Sequence, residues 1–272
     1  MKSLPILYLI LALLACTQIE TQQESLKDET PKVIAIYPSS DTLPENLLRF
    51  YIQFLEPMKA VHNLENIKLL DENGKEIKGA IFNNVYELWD SRQQQLTLIL
   101  DPARIKTGLI AHNNLGRALV PNQHFQLVIE KAENIHGQIL KRPFTKDFFV
   151  SKADTLPPNV DNWAIKTPPS NSQHPLQITF PQPLDRLSLL TRIRLLDANS
   201  QMIKGKININ NQEKQWAFFP NKNWQKGTYT LQINSRLEDP SGNNLNGLFD
   251  HEVDGLRSKW EEEIIERQLF IM

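Results

Sequence analysis

The sequence predicts an all-β protein made of two tandem β-sandwiches. Short segments alternate apolar and polar residues, which turns one face of each strand toward a core and the other toward water. The chain also repeats itself at long range, and no long internal segment has helical periodicity. Short strands at regular spacing, separated by turns, are typical of sandwich folds.

The internal repeat sets the domain boundaries. Residues 67–73 (IKLLDEN) return as residues 193–199 (IRLLDAN), 126 positions later, whereas residues 133–137 correspond to residues 238–242 only 105 positions later. The first copy therefore holds about 21 extra residues near 102–122. We expect a first domain at 33–152 that contains this insert, a linker at 153–162 and a second domain at 163–272. The linker zone is rich in proline, which cannot donate to a strand ladder.

Individual strands and turns follow from local pattern. The clearest alternating segments are residues 48–54, 125–129, 176–180 and 229–233. The Asn73-Gly74 pair predicts a hairpin turn, because both residues tolerate positive φ. Near the C-terminus, residues 260–267 (WEEEIIER) admit a helix with Trp260, Ile264 and Ile265 on one face. We favour a last strand in residues 265–272 (IERQLFIM), with a short helical turn before it.

The N-terminus carries an export signal. Lys2 precedes an apolar run from Leu4 to Leu14, which is too short for a transmembrane helix and suits a signal peptide. The segment Leu13-Leu14-Ala15-Cys16 resembles the recognition site of the bacterial lipoprotein signal peptidase. We therefore expect residues 1–15 to be removed, and Cys16, the chain's one cysteine, to carry lipid. The polar residues 16–32 then form a lipidated, flexible tether.

Composition narrows the function classes. The chain has 30 Lys and Arg against 31 Asp and Glu and no basic block. A nucleic-acid partner is not expected, because such binding needs a clustered cationic surface. Thr17, not Asp, follows Cys16, so we expect the lipid anchor in the outer membrane rather than the inner membrane, with the protein on either its periplasmic face or the cell surface.

Two motifs resemble a known family. The opening segments are Tyr37–Pro44 and Phe50–Met58, the latter ending in Phe-Leu-Glu-Pro-Met, and the closing turn is Asp239-Pro240-Ser241-Gly242-Asn243. These segments resemble bacterial Ig-like domains of the S-layer type. The second copy departs from the opening pattern, and the first departs from the closing turn with Asn134 and Gln138. The resemblance implies tandem Ig-like domains of a cell-envelope protein, serving as spacer or binding module without a fixed active site.

Candidate chemistry is sparse, and we expect neither an enzyme nor a bound cofactor. The six histidines show no metal-ligand spacing, and no nucleophile elbow or glycine-rich phosphate loop is present. Asp239, Asn243 and Asp250 are weak candidates for calcium, since Ca²⁺ takes oxygen ligands. A plain turn, in which Asp239 binds nearby backbone, is the favoured interpretation.

The insert and a linker tryptophan form the candidate contact surface. Arg104, Lys106 and Arg117 give the insert a positive character that could meet acidic groups of the second domain or an anionic partner. Six apolar residues predict that the insert packs back on the first domain or between the domains: Ile105, Leu109, Ile110, Leu115, Leu119 and Val120. Trp163 lies where it could fill the interface between domains.

These features favour a lipid-anchored, non-catalytic structural or protein-binding module of the cell envelope. A glycan-binding surface lipoprotein is one alternative, because five tryptophans (Trp89, Trp163, Trp216, Trp224 and Trp260) could stack on sugars. An accessory subunit of an envelope enzyme or export complex is the other. The expected partners are the membrane, through the lipid, and an envelope protein or glycan.

Overall fold

The computed structural model describes residues 30–61, 63–83, 86–250 and 262–272. The predicted signal peptide, Cys16 and nearly all of the tether lie outside the described residues, as do Trp260 and the helical turn expected beside it. The described chain has far more strand than helix, so the all-β prediction is confirmed. The last strand is confirmed as well, at Ile264–Ile271.

The first sandwich packs two sheets. Its strands are β1 (Val33–Tyr37), β2 (Thr42–Pro44), β3 (Arg49–Phe54), β4 (Ile67–Asp71), β5 (Leu88–Trp89), β6 (Gln95–Ile99), β7 (His124–Ile129) and β8 (Phe144–Ser151). One sheet has the order β1-β3-β6-β5 and the other β2-β8-β7-β4. All pairs are antiparallel except β2 with β8. Helices α1 (Pro102–Ile105) and α2 (Ile110–Leu115) lie in the insert, and a 3-10 helix spans Leu64–Asn66.

The second sandwich repeats this plan. Its strands are β9 (Ala164–Lys166), β10 (Leu176–Thr179), β11 (Ile193–Leu196), β12 (Gly205–Asn210), β13 (Gln215–Pro220), β14 (Gly227–Asn234) and β15 (Ile264–Ile271). The sheet orders are β12-β13-β10-β9 and β11-β14-β15. Helix α3 spans Arg186–Thr191, and a 3-10 helix spans Val160–Asn162.

Each sandwich has its own apolar core. Buried side chains from β3, β6, β7 and β8 fill the first, including Phe50 and Phe148. Trp216 and Trp224 are among the largest fully buried residues of the second. Phe249 departs from this division, because it belongs to the second copy of the repeat and yet packs against the first core.

The internal repeat reappears as identical turn geometry. Asp71 Oδ1 accepts from the backbone N–H of Asn73 and Lys75, and Asp197 Oδ1 accepts from Asn199 and Gln201 in the same way. The residue at the tightest point has positive φ in both turns, at 74° in the first and 58° in the second. The predicted hairpin turn is thus confirmed, and the second copy makes it without Gly.

The closing turns also match at the expected distance of 105 residues. Asn134 Oδ1 accepts from the N–H groups of residues 136 and 138, and Asp239 Oδ1 accepts from those of residues 241 and 243. In the first turn the Asn134 amide donates to Gln138 Oε1, and in the second the Asn243 amide donates to Asp239 Oδ2. The two turns therefore differ in which residue supplies the amide N–H.

The strand register defines two ends for each sandwich. We call the end with the closing turn the base, and the opposite end, with the β6–β7 or β13–β14 connection, the crown. Lys32 enters at the first base, where its carbonyl accepts from Leu55 N–H. The crown of the first sandwich meets the base of the second, because Leu48 N–H, just before β3, donates to Pro240 O. Residues 30–32 thus lie at one extreme of the tandem, and the second crown forms the other.

Candidate functional site

The contact between the first crown and the second base, called here the junction, is rich in buried polar side chains. Arg49, at the start of β3, forms an ion pair with Glu238. Two residues along the same strand, the Tyr51 hydroxyl donates to Asp185 Oδ2 at 2.8 Å. Asp185 also caps α3, since its Oδ1 accepts from Ser188 N–H. A single strand of the first sandwich therefore engages two carboxylates of the second.

Burial and neighbouring charge shift the pKa values of this cluster. Burial opposes the charge on Arg49, but the nearby Tyr51, Glu238 and Asp185 hold the pKa of its guanidinium above the usual value. Burial and the Asp185 carboxylate raise the pKa of Tyr51, so it stays a neutral donor. Burial also raises the pKa of Glu238, and Arg49 opposes that rise. Partly desolvated ion pairs of this kind fix the relative position of the residues that form them. Removing one partner leaves the other charge buried without a counter-charge.

A second group of contacts holds the start of the linker. Asn46 donates to Asp154 O and accepts from Asp154 N–H, both at 2.9 Å. From the second sandwich, Asn243 donates to Asp154 O and the Ser241 hydroxyl donates to Asn46 Oδ1. Asparagine side chains from both sandwiches thus form hydrogen bonds with the backbone of one linker residue. The arrangement leaves little freedom where the chain passes from one sandwich to the other.

Packing at the junction is close as well as polar. Gly242 has φ of +81°, and a Cβ there would lie 2.7 Å from Leu48 Cδ2. Only glycine avoids both the backbone strain and this collision. The Arg186 guanidinium lies over the Tyr37 ring at 3.8 Å, and Ser39 N–H donates to the buried Glu213 carboxylate. Contacts therefore extend across the whole interface.

The insert contributes to the junction, but not as an open cationic surface. Arg117 forms ion pairs with Glu45 at 2.7 Å and with Asp250 of the second sandwich at 3.2 Å. Thr107 donates to the same Asp250 carboxylate through both N–H and hydroxyl. The Lys106 ammonium lies 4.5 Å from the centre of the Phe249 ring. Of the two outcomes left open by the sequence, contact with acidic groups of the second sandwich is the one observed.

Arg104 corrects the expected contact surface. Its side chain is buried and donates to carbonyl groups of Lys78, Leu115, Gly116 and Arg117. Burial lowers the pKa of this guanidinium. A guanidinium carries five N–H donors, so one side chain can satisfy several otherwise unpaired backbone oxygens. Arg104 therefore holds the insert together and is not available to a partner.

The apolar part of the insert is also corrected. Ile105 and Leu119 join the first core, as expected, but Leu109, Ile110, Leu115 and Val120 are exposed. The insert is anchored in the first core by Ile105 and Leu119, and the large apolar residues between them are exposed. Its residues form α1 and α2 rather than a continuous loop.

The calcium candidates are occupied by protein contacts. Asp239 accepts from three donors within its own turn, including the Asn243 amide. Burial raises the pKa of Asp239 to about 7. Asp250 is held by Arg117 and Thr107. Across residues 30–61, 63–83, 86–250 and 262–272, no group of three or more His, Cys, Asp or Glu side chains is arranged to hold a metal ion.

The tryptophans face inward. Trp163, expected at the interface between domains, is buried in the second core and packs edge-on against Phe180 at 4.8 Å. This placement corrects its assignment to the contact surface, because the side chain packs within the second core. Trp216 and Trp224 are buried in the same core, and Trp89 packs on Phe54. Trp163, Trp216 and Trp224 therefore present no open ring face for sugar stacking, and Trp89 is half-buried.

An open cleft of about 630 Å³ lies at the second crown. It is lined by residues 197–199, 201–204 and 220–229. Trp224 and Tyr229 line its buried side, and their rings meet edge to face at 5.3 Å. Their polar atoms are already bonded within the protein, to His174 O and to the backbone of Gln225. Three exposed lysines, Lys204, Lys222 and Lys226, stand among the lining residues. We call this feature the free-end cleft.

Reasoning from the sequence missed the junction residues Arg49, Tyr51, Asp185, Glu213 and Glu238. The repeat contained a usable signal, because aligned positions change charge: Lys59 of the first copy falls on Asp185 of the second. A charge that reverses between copies of one fold is not required by the strand pairing that the copies share.

The family comparison bears on the second sandwich. Residues 154–254 match the family described as bacterial Ig-like domain. The match includes the closing turn on which the sequence resemblance rested. No curated protein matches the chain in sequence.

Similar solved structures are distant. CopC from Methylosinus trichosporium OB3b is 14% identical, over 46% of this chain and 98% of that chain, with a TM-score of 0.30. The S-layer protein rSbsC is 12% identical, over 80% of this chain and 25% of that chain, with a TM-score of 0.34. The chain therefore spans only a quarter of that S-layer structure. Alpha-2-macroglobulin from Escherichia coli is 8% identical, over 77% of this chain and 68% of that chain, at 0.29.

The described helices are short. None of them is both long and apolar enough to cross a lipid bilayer.

Proposed function

We propose that this protein is a lipid-anchored, non-catalytic module of the bacterial cell envelope that carries a protein-binding end on a rigid tandem of Ig-like sandwiches. The observation that carries the proposal is that the two ends of the molecule differ. The tether enters at the first base, the junction fixes the second sandwich on the first crown, and the free-end cleft lies at the opposite extreme. Such an arrangement suits a spacer that holds a binding surface away from a membrane.

The anchor is the part of the proposal that rests on sequence. A diacylated or triacylated Cys16 gives stable membrane binding, because each buried CH₂ contributes about 0.8 kcal/mol and one chain alone is marginal. Thr17 in place of aspartate after Cys16 supports the outer membrane as the location. The polar tether then separates the bilayer from the first base.

Fractionation of cells tests the anchor. In the source bacterium the wild-type protein is expected in the membrane fraction, and globomycin is expected to cause accumulation of the unprocessed form. Cys16→Ala should move the protein to a soluble fraction and abolish the effect of globomycin. A matched control is Thr17→Ala, which should leave both unchanged. A Cys16→Ala protein that stays with the membrane would contradict the lipid anchor.

A further inference from the structure

The two crowns occupy equivalent places in the repeat but have different surroundings. In the first sandwich, residues 100–123 connect β6 to β7 at the end where β3 begins, and that end is covered by the second sandwich. In the second sandwich, residues 221–226 connect β13 to β14 at the end where β10 begins. That end carries the free-end cleft. The fold thus presents the same docking end twice, and one of the two is open.

Charge indicates what the open crown fits. In the first crown, Arg49 and Arg117 meet Glu238 and Asp250 of the second base. In the second crown, Lys204, Lys222 and Lys226 are exposed, and within the described chain none of these three lysines forms an ion pair.

Asp197 is the acidic residue that lines the cleft, and it forms no ion pair with these lysines in the described chain. Asp197 Oδ1 is engaged by the backbone N–H groups of Asn199 and Gln201 in the hairpin turn. Three lysines against this one carboxylate leave the rim with an excess of positive charge, so it complements carboxylates, as the first crown does.

The aromatic side of the cleft favours a protein over a sugar as occupant. Trp224 is only 2% exposed, so its ring has no face on which a sugar could stack. Met202 is 60% exposed at the cleft. A flexible thioether adapts to irregular protein surfaces.

We propose that the free-end cleft docks an acidic face of a partner protein, in the way that the first crown docks the base of the second sandwich. The inference rests on the proposed function, because it names the chemistry of the partner that this envelope module binds. Lys204, Lys222 and Lys226 supply the charge, and Met202 supplies the apolar contact.

Site-specific photocrosslinking in the source bacterium tests the proposal on the full chain. The probe is benzoylphenylalanine placed at position 202, and the matched control is the same amino acid at Ile135, which is 52% exposed at the first base. A protein adduct is expected at position 202 and not at position 135. Adduct yield should fall at least tenfold in Lys222→Glu/Lys226→Glu, with an unchanged melting temperature. Lys222→Gln/Lys226→Gln should give an intermediate loss.

Reciprocal charge exchange completes the test. Changing the carboxylates of the crosslinked partner segment to lysine should restore the adduct with the Lys→Glu variant. The proposal is overturned by an adduct that is indifferent to charge reversal, by an adduct to glycan, lipid or a second copy of this chain, or by no adduct at position 202.

Fractionation of the same cells tests the lipid anchor separately. A membrane-bound protein without an adduct overturns the cleft proposal alone, and a soluble protein with an adduct overturns the anchor alone.

Discussion

The two bases show how one fold makes an exposed end and an interface. At the first base, Lys59 and Glu133 form a surface ion pair at 3.3 Å, with side chains 47% and 35% exposed. At the equivalent positions of the second base are Asp185 and Glu238, whose carboxylates engage the first crown. The backbone bond between the two positions is the same in both, at 2.9 and 2.8 Å.

The junction is thus encoded by side chains at positions where the two copies of the fold carry different charge. Because the backbone bond survives the change of charge, Lys59 and Asp185 are interchangeable for this bond, although Asp185 also caps α3. They are not interchangeable for docking, because a lysine at position 185 would face Arg49 and would leave the Tyr51 hydroxyl without its acceptor. Variants at paired positions can therefore separate interface from fold.

The largest expected contrast lies between the two glutamates. Glu238→Ala strands Arg49 in a partly buried site, and we expect it to lower the free energy of unfolding by about 2–4 kcal/mol. Glu133→Ala removes only an exposed pair, and we expect a loss below about 1 kcal/mol. Urea unfolding of both variants, followed by circular dichroism, measures the difference. Equal losses would mean that the junction pair contributes no more than a surface pair.

The closing-turn glycines give the next contrast. Gly242→Ala and Gly137→Ala both place a side chain at positive φ, at +81° and +77°. A new Cβ at position 242 meets Leu48 at 2.7 Å, whereas at position 137 the nearest atom is Glu133 Oε1 at 3.9 Å. We expect Gly242→Ala to be more destabilising by about 1–3 kcal/mol, which is the range for overpacking.

Thermal unfolding of the two glycine variants measures this. A Gly137→Ala variant as unstable as Gly242→Ala would show that backbone strain, and not packing across the junction, sets the cost.

A smaller effect is expected from pH. The pKa of Asp239 is about 7 in the folded protein, because it is buried, against about 3.9 in an unfolded chain. Between these values the folded state binds more protons, so this group's contribution to stability is present below pH 4 and declines as pH rises toward 7. Asp239→Asn places at this position the amide that Asn134 supplies in the first turn.

Urea unfolding at several pH values between 4 and 7.5 tests this expectation. The stability of wild type should fall with pH more steeply than that of Asp239→Asn, by up to about 1 kcal/mol per pH unit. Parallel pH curves for the two proteins would contradict the raised pKa.

The sequence predicted features that depend on local pattern. The alternation in β3, β7, β10 and β14 and the turn at Asp71 follow from residues within a few positions of one another, and all were found. Arg104 shows what local pattern cannot predict. Its role depends on backbone carbonyl groups up to 26 residues away, and only the fold brings these groups together. Trp163 shows the same limit, since burial against Phe180 requires the fold of the second sandwich.

We infer that the junction makes the two sandwiches one rigid body, and residual dipolar couplings measure whether it does. Backbone couplings would be measured on the mature chain with Cys16→Ala, in weak alignment, and fitted separately for the sandwiches built from β1–β8 and β9–β15. We expect one alignment tensor to fit both sandwiches in wild type, and two different tensors in Glu238→Ala. Two tensors of different magnitude in wild type would show that the sandwiches move independently and would contradict the claim.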